Sequence, residues 1–321
     1  MELLPHRPDL DSVDPDLDLS AEIKRLRAEK KAIILAHYYQ EPAVQDLADF
    51  VGDSLQLAIE ARKAKADVIL FCGVHFMAET AKILNPNSIV VLPDMDAGCS
   101  LADRCHAEIF REWLKDYPDH VVISYINCSA GVKALSDIIC TSANAVSVVN
   151  SVPADKKIVF APDRHLGHWV SVQTGRGMAL YPGFCIVHEQ FTPRRVAAMK
   201  VQSPEAKLIV HPECDISISA KADFVGSTAA MLNFIAKDTG KTFLIGTEPG
   251  IIYQMKKLRP DAEFLPIPAD SGRNGSLCPY MKLNTLEKVY LALRDMKPEI
   301  VLDEALRQRA LKPMEAMLLL R

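Results

Sequence analysis

The tightest constraint on this 321-residue chain is a near-period in its cysteines. Cys185, inside Gly183-Phe184-Cys185-Ile186-Val187-His188-Glu189, follows Cys99 by 86 positions and precedes Cys278 by 93. The interval recurs upstream. Short apolar runs end in Ile34-Leu35-Ala36-His37-Tyr38-Tyr39, in Val121-Val122-Ile123-Ser124-Tyr125-Ile126-Asn127 and in Leu208-Ile209-Val210-His211-Pro212-Glu213. Each is followed, 16 or 17 residues later, by a helix N-cap signature: Asp53-Ser54, Thr141-Ser142 and Ser227-Thr228. A second apolar run then leads into Gly73-Val74-His75, Pro162-Asp163-Arg164 and Gly246-Thr247-Glu248. The match is one of pattern rather than residue identity, and three beats in phase specify three copies of one unit.

Strand-like runs alternating with amphipathic helices imply parallel sheets with crossover connections. The expected fold is α/β: three homologous small parallel-sheet domains around a pseudo-threefold axis, with a central active-site cavity. The expected divisions are a flexible arm at 1–18, domains at 19–102, 103–190 and 191–284, and C-terminal helices at 285–321. Ser20 reads as the cap of a helix over 21–30. The first third should hold helices over 44–50, 54–65 and 76–84 and strands to 37, over 67–71 and over 89–92. The second should hold helices over 103–117, 134–139 and 144–150 and strands over 120–126 and 157–161. The third should hold helices over 193–201, 229–237 and 250–258, strands over 207–211 and 242–245, and a Gly-rich loop over 271–275. Helices over 285–294 and 303–311 follow, the second interrupted near Pro313.

A net charge of −4 and a sequence pI near 6.2 supply no basic field for a nucleic acid. No apolar run reaches the roughly 20 residues of a membrane helix, and the start lacks the order of a signal peptide, so the expected location is cytoplasmic. Eight cysteines in such a chain should be reduced, buried or metal-bound. Cys72, Cys128 and Cys140 fall in or beside apolar runs and read as core, while the pattern does not settle Cys105 and Cys214.

Parallel sheets gather function at the carboxyl ends of their strands. Cys99, Cys185 and Cys278, one per unit, could meet there, and three thiolates suit zinc or an iron-sulfur cluster. The absence of any Cys-x-x-Cys argues against a ferredoxin and against most structural zinc sites. A four-iron cluster on three protein ligands keeps one iron open as a Lewis acid. The spacing does not choose between the metals. His37 with Tyr39, Tyr125 with Asn127 and His211 with Glu213 stand two apart at strand ends, on one side if the strand persists, and together make a proton-transfer set. Any one of them is equally a hydrogen-bonded, half-buried polar residue. Ser54, Thr141-Ser142 and Ser227-Thr228 offer hydroxyls and helix-terminal N–H groups to a phosphate or carboxylate, although capping alone also explains them. A zinc-dependent lyase or aldolase, and a non-catalytic binder of polyanionic metabolites, both remain open on these features.

The stretches AHYYQ (36–40), QDLADFVGDSL (45–55), GVHFMAET (73–80), AGCSLAD (97–103), SYIN (124–127), ALSDIICTSAN (134–144), GFCIVHE (183–189), HPEC (211–214), GST (226–228), GTE (246–248) and CPYM (278–281) together resemble the quinolinate synthases. The resemblance implies a [4Fe-4S] cluster on Cys99, Cys185 and Cys278. It implies condensation of iminoaspartate with dihydroxyacetone phosphate to quinolinate, with loss of phosphate and two waters, in de novo NAD biosynthesis. Carried over by motif, Tyr39, Tyr125, His211 and Glu213 handle protons, and His37, Ser54, Asn127, Ser142, His188, Ser227 and Thr228 hold the substrates. L-Aspartate oxidase or aspartate dehydrogenase would supply the iminoaspartate. Some relatives carry a Cys-x-x-Cys-x-x-Cys run at the last ligand; Ser276-Leu277-Cys278 leaves one cysteine here, which argues against a local disulfide switch.

Overall fold

The structure is a computed structural model and describes residues 8–269 and 276–320. The Gly-rich loop expected at 271–275 and the start of the expected arm lie outside those residues. The chain divides into two compact units, residues 1–99 with 279–311 and residues 100–278 with 312–321.

The first unit carries one parallel sheet of β1 (Ala32–His37), β2 (Phe50–Gly52), β3 (Val68–Cys72) and β4 (Ile89–Val91), in the order β2-β1-β3-β4. The second unit carries two sheets. One comprises β5 (His120–Tyr125), β6 (Ile138–Cys140), β7 (Lys157–Ala161) and β8 (Ala179–Leu180), and the other β9 (Lys207–Val210), β10 (Phe224–Val225), β11 (Thr242–Gly246) and β12 (Glu263–Pro266). Their orders, β6-β5-β7-β8 and β10-β9-β11-β12, repeat the first, and the strand pairs are parallel throughout. Three small parallel-sheet α/β folds are therefore present. Helices cover both faces of such sheets, so their central strands are apolar without alternation, as in the fully buried Val-Ile-Leu-Phe-Cys of β3.

Each short second strand is pinned by the same device. Asp49 Oδ2 accepts the Ile34 N–H at 2.9 Å, Asp137 Oδ2 that of Val122 at 2.8 Å and Asp223 Oδ2 that of Leu208 at 2.7 Å, each across 15 residues. The Asp backbone N–H groups return to the carbonyls of those same residues at 2.9, 2.9 and 2.8 Å. A strand of two or three residues makes too few ladder bonds to fix its own register, and this two-way staple supplies it. In the first and third sheets the phenylalanine that opens the strand lies over a glycine. A Cβ at Gly52 would meet Phe50 Cε1 at 2.7 Å, and one at Gly226 would meet Phe224 Cε1 at 2.8 Å.

In this strand order the chain leaves β1 for one side of the sheet and reaches β3 on the other. The crevice at the carboxyl ends of β1 and β3, and of their counterparts β5/β7 and β9/β11, is the topological switch point where such sheets bind ligands.

Several expected elements are corrected. Residues 44–50 are not one helix: the helix is Pro42–Leu47, and Phe50–Gly52 is β2. Residues 134–139 are not a helix: a short helix Ala130–Lys133 is followed by a turn over 134–137, and β6 begins at Ile138. The long helix over 103–117 is three pieces, Ser100–Arg104, Ala107–Trp113 and Leu114–Asp116. The first long helix is Leu19–Glu29 and is capped by Asp18, whose carboxylate accepts the Ala21 N–H at 3.0 Å, not by Ser20. The last helix, Glu304–Leu319, runs through Pro313 without a break, with Ala310, Met314 and Met317 fully buried along it. Burial of that stripe outweighs the backbone bond that proline cannot make.

Candidate active site

Every site is built at a strand end. In the first unit β1 ends at His37, which is buried, and the chain turns so that the Tyr39 N–H donates to His37 Nδ1 at 3.2 Å. The two rings then meet edge to face, with centroids 4.4 Å apart. The turn is fixed from two sides: Gln45 Nε2 donates to the Tyr38 and Gln40 carbonyls at 3.0 and 2.8 Å, and Lys282 Nζ to the Tyr39 carbonyl at 2.8 Å. The strand ends at His37, so the condition on which His37 and Tyr39 would share one side is not met. Ser54 is the first residue of the helix Ser54–Lys63, and the cap is Asp53, in a reciprocal box with Gln56 at 2.9 and 3.0 Å. Capping is thus no longer the explanation for the Ser54 hydroxyl.

The second unit repeats the turn with a different outcome. Beyond β9, the Glu213 N–H donates to His211 Nδ1 at 3.3 Å. Neutral His211 must then carry its hydrogen on Nε2, which donates to Ser142 Oγ at 3.2 Å. The N-cap position of the helix Ala145–Ser151 is Asn144, not the Thr141-Ser142 pair; its side chain caps nothing and its Oδ1 accepts the Thr141 N–H at 2.8 Å. Ser227 is a true cap and accepts the Ala230 N–H at 3.2 Å; Thr228 beside it is buried.

Glu213 is the hub. Its Oε2 lies 2.7 Å from His188 Nδ1 and 3.8 Å from His211 Nδ1, its Oε1 accepts from Asn127 Nδ2 at 3.5 Å, and the Tyr125 side chain hydrogen-bonds to it. The His188 and His211 rings stack with centroids 4.9 Å apart. Burial pushes the Glu213 carboxyl upward, but His188 and His211 beside it and the hydrogen bonds from His188 and Tyr125 outweigh it and hold the group low, at about 2. His211 moves the other way: burial drives it down to about 3 despite the pull of Glu213, with His188 adding to the fall. The site thus holds an ionised carboxylate beside a neutral imidazole that donates from Nε2.

Sulfur comes next to this hub. Cys185 Sγ, a His188 nitrogen and a Glu213 oxygen lie within 4.8 Å of one another, a donor set that can hold a metal ion. Cys278, in the same unit, is not part of that trio. Cys99, Cys185 and Cys278 are half-buried, and the other five cysteines are buried. Burial pushes the thiols of Cys72 and Cys105 up to about 12, and those of Cys140 and Cys214 well above the ordinary range. These four are poor thiolates; Cys105 and Cys214, which the sequence leaves open, are core.

Two further residues belong to the site. Thr247 Oγ1 lies 2.9 Å from His188 Nε2 and orients that ring. Asp163, fully buried after β7, caps the next helix through the Leu166 N–H at 2.7 Å; burial and then the Glu213 charge push its carboxyl well above the usual range. Both lie in motifs that end the third strands, and Thr247 also lies in the GTE stretch of the family resemblance.

Among the described residues, no helix is long and apolar enough to cross a membrane. The family model for Quinolinate synthetase A protein matches residues 21–319. The quinolinate synthase of Microcystis aeruginosa is 58% identical over 304 residues, covering 95% of each chain. That of Synechocystis sp. is 58% identical over 301 residues, covering 94% of this chain and 95% of the relative. That of Gloeothece citriformis is 52% identical over 314 residues, covering 97% of each. With a family match along almost its whole length and relatives more than half identical, this chain belongs to the quinolinate synthetase A enzyme family.

Proposed function

We propose that the enzyme condenses iminoaspartate with dihydroxyacetone phosphate to quinolinate, releasing phosphate and two waters, as a cytoplasmic step of de novo NAD biosynthesis. In this reading L-aspartate oxidase or aspartate dehydrogenase supplies the iminoaspartate. The three sheets form lobes over 19–102, 103–190 and 191–284, with helices at 285–321. Cys99, Cys185 and Cys278 hold a [4Fe-4S] cluster. The observation that carries the reading is the split among the cysteines: the three that are half-buried are the three that recur once per repeat. When bound, a cluster on three protein ligands supplies one open iron as a Lewis acid for a hydroxyl or carboxylate.

The chain's own residues manage the protons. Each dehydration needs a base to take a proton from carbon and an acid to protonate the departing hydroxyl. Ionised Glu213 is the base, and the Tyr125 phenol bonded to it passes the proton on. Neutral His211 offers its Nε2–H and shares it with Ser142, a fit for a carboxylate or phosphate oxygen. Tyr39, oriented by His37, is the corresponding donor at the first lobe. Asn127, His188, Ser54, Ser227 and Thr228 hold the remaining substrate oxygens.

Protein purified anaerobically should be brown and should bleach in air. Cys185→Ala should abolish colour and turnover, whereas Cys72→Ala should spare both; equal loss in the two would overturn the ligand assignment. One observation favours a second reading. Cys185, His188 and Glu213 are also a three-donor set of the kind that leaves zinc an open fourth position, suited to a zinc-dependent lyase. Colourless anaerobic protein with stoichiometric zinc would decide for it.

A further inference from the structure

The segment that presents Cys185 is fastened at almost every residue by groups of its own unit. The Arg164 N–H donates to the Gly183 carbonyl at 2.9 Å, and a Cβ at Gly183 would collide with the Pro162 carbonyl. The Glu189 N–H donates to the Cys185 carbonyl at 3.0 Å. Ser100 Oγ accepts the Ile186 N–H at 3.2 Å, and Gln190 Nε2 donates to the Ile186 carbonyl at 2.8 Å. Among the described residues, Phe184 has no backbone bond of this kind. Its ring instead meets two guanidiniums, with Arg104 Cζ 4.1 Å and Arg164 Cζ 4.7 Å from its centroid.

The two arginines differ in charge balance. Arg164 donates to Glu189 Oε1 at 2.8 Å, so its charge is matched. Arg104 makes no ion pair among the described residues, and its own carbonyl is tied by the Tyr181 hydroxyl at 2.9 Å. Exposed Arg104 is thus held over the ring that precedes Cys185, the proposed ligand, where three thiolates around iron would place negative charge.

We propose that Phe184, Arg104 and Arg164 are positioning residues for the metal group: the ring and Arg164 fix the loop that aims Cys185, and Arg104 supplies the charge that stabilises the reduced, more negative cluster. This inference rests on the cluster assignment above. Groups that orient a metal ligand typically change metal affinity by about 10–100-fold when removed.

The test uses full-length protein reconstituted anaerobically with iron and sulfide. Phe184→Leu should lose its visible absorbance to a chelator about tenfold faster than wild type, while Phe184→Tyr restores the wild-type rate. Arg104→Gln should shift the cluster midpoint to more negative potential, and Arg164→Gln, whose lost charge leaves Glu189 unmatched, should chiefly speed cluster loss. Thermal melting of each apo-protein should match wild type, separating a positioning role from a folding defect. Equal chelation rates in Phe184→Leu and wild type, with an unshifted potential in Arg104→Gln, would overturn the proposal. Wild-type protein that takes up no iron would overturn the cluster assignment itself, a result recognisable before any variant is made.

Discussion

The ends of β1 and β9 are the same turn with different cargo. In both, the N–H of the residue two beyond a histidine donates to its Nδ1, at 3.2 Å for Tyr39 and 3.3 Å for Glu213. At the first end that residue is a half-buried phenol resting on the imidazole. At the second it is a buried carboxylate gripped by two imidazoles, Tyr125 and Asn127. The backbone device fixes the histidine tautomer in each place. In the proposed roles, what sits in the frame decides whether the site donates a proton or accepts one.

The sharpest break of this comparison is at the cargo. Glu213→Gln keeps the shape and removes the proposed base, so kcat should fall by about 10²–10⁴-fold with the content of the proposed cluster unchanged. Tyr39→Phe should cost less, and an equal loss in single-turnover assays would erase the distinction between the two ends.

Acid should separate them next. The unfolded chain protonates His211 near its ordinary value of 6.5, while the folded site refuses the proton until about 3. Stability is therefore full above about pH 6.5 and drains away as pH falls toward 3, by up to a few kcal/mol. Glu213 adds to the loss lower down, from its ordinary 4.5 to about 2. His211→Gln should flatten the upper part of that curve in urea titrations from pH 7 to 4; an unaltered slope would show that His211 is not the group refusing the proton.

Below these comes the shared frame. Asp49→Ala and Asp223→Ala each remove one staple and leave a strand N–H without its acceptor, so each should cost about 1–3 kcal/mol in urea unfolding. A neutral result at only one of them would mean that the two copies no longer rely on the same device. The smallest contrast is at the helix starts. Ser227→Ala should cost about 1 kcal/mol as a lost cap, while Ser54→Ala should leave stability unchanged, because Asp53 does the capping, and should raise KM.

The three-fold pattern was legible because strand ends and helix caps are local signals. The cysteine intervals and the polar strand ends led to three identical sheets. The short second strands were not read, since three apolar residues carry no period, and the Asp side chains that hold them act across 15 residues. A signal was nonetheless present in residue identity, where a match of pattern alone had been expected: Ala48-Asp49-Phe50-Val51-Gly52 recurs unchanged as Ala222-Asp223-Phe224-Val225-Gly226, and Ser136-Asp137-Ile138 stands at the matching place in the middle copy. Within the second unit, the meeting of Glu213 with His188 and Tyr125 depends on contacts between residues far apart in the chain, which no interval encodes. Only the family resemblance anticipated His188.

The aspartate staple works as a ruler. It closes a ring of the same span in every copy, tying the first strand of each sheet to the start of the second by both bonds. The copies differ in length only in the remaining segments: the cysteines are spaced 86 and 93 apart while the interval inside each ring is 15 in all three. Loop grafts and tags belong outside those rings.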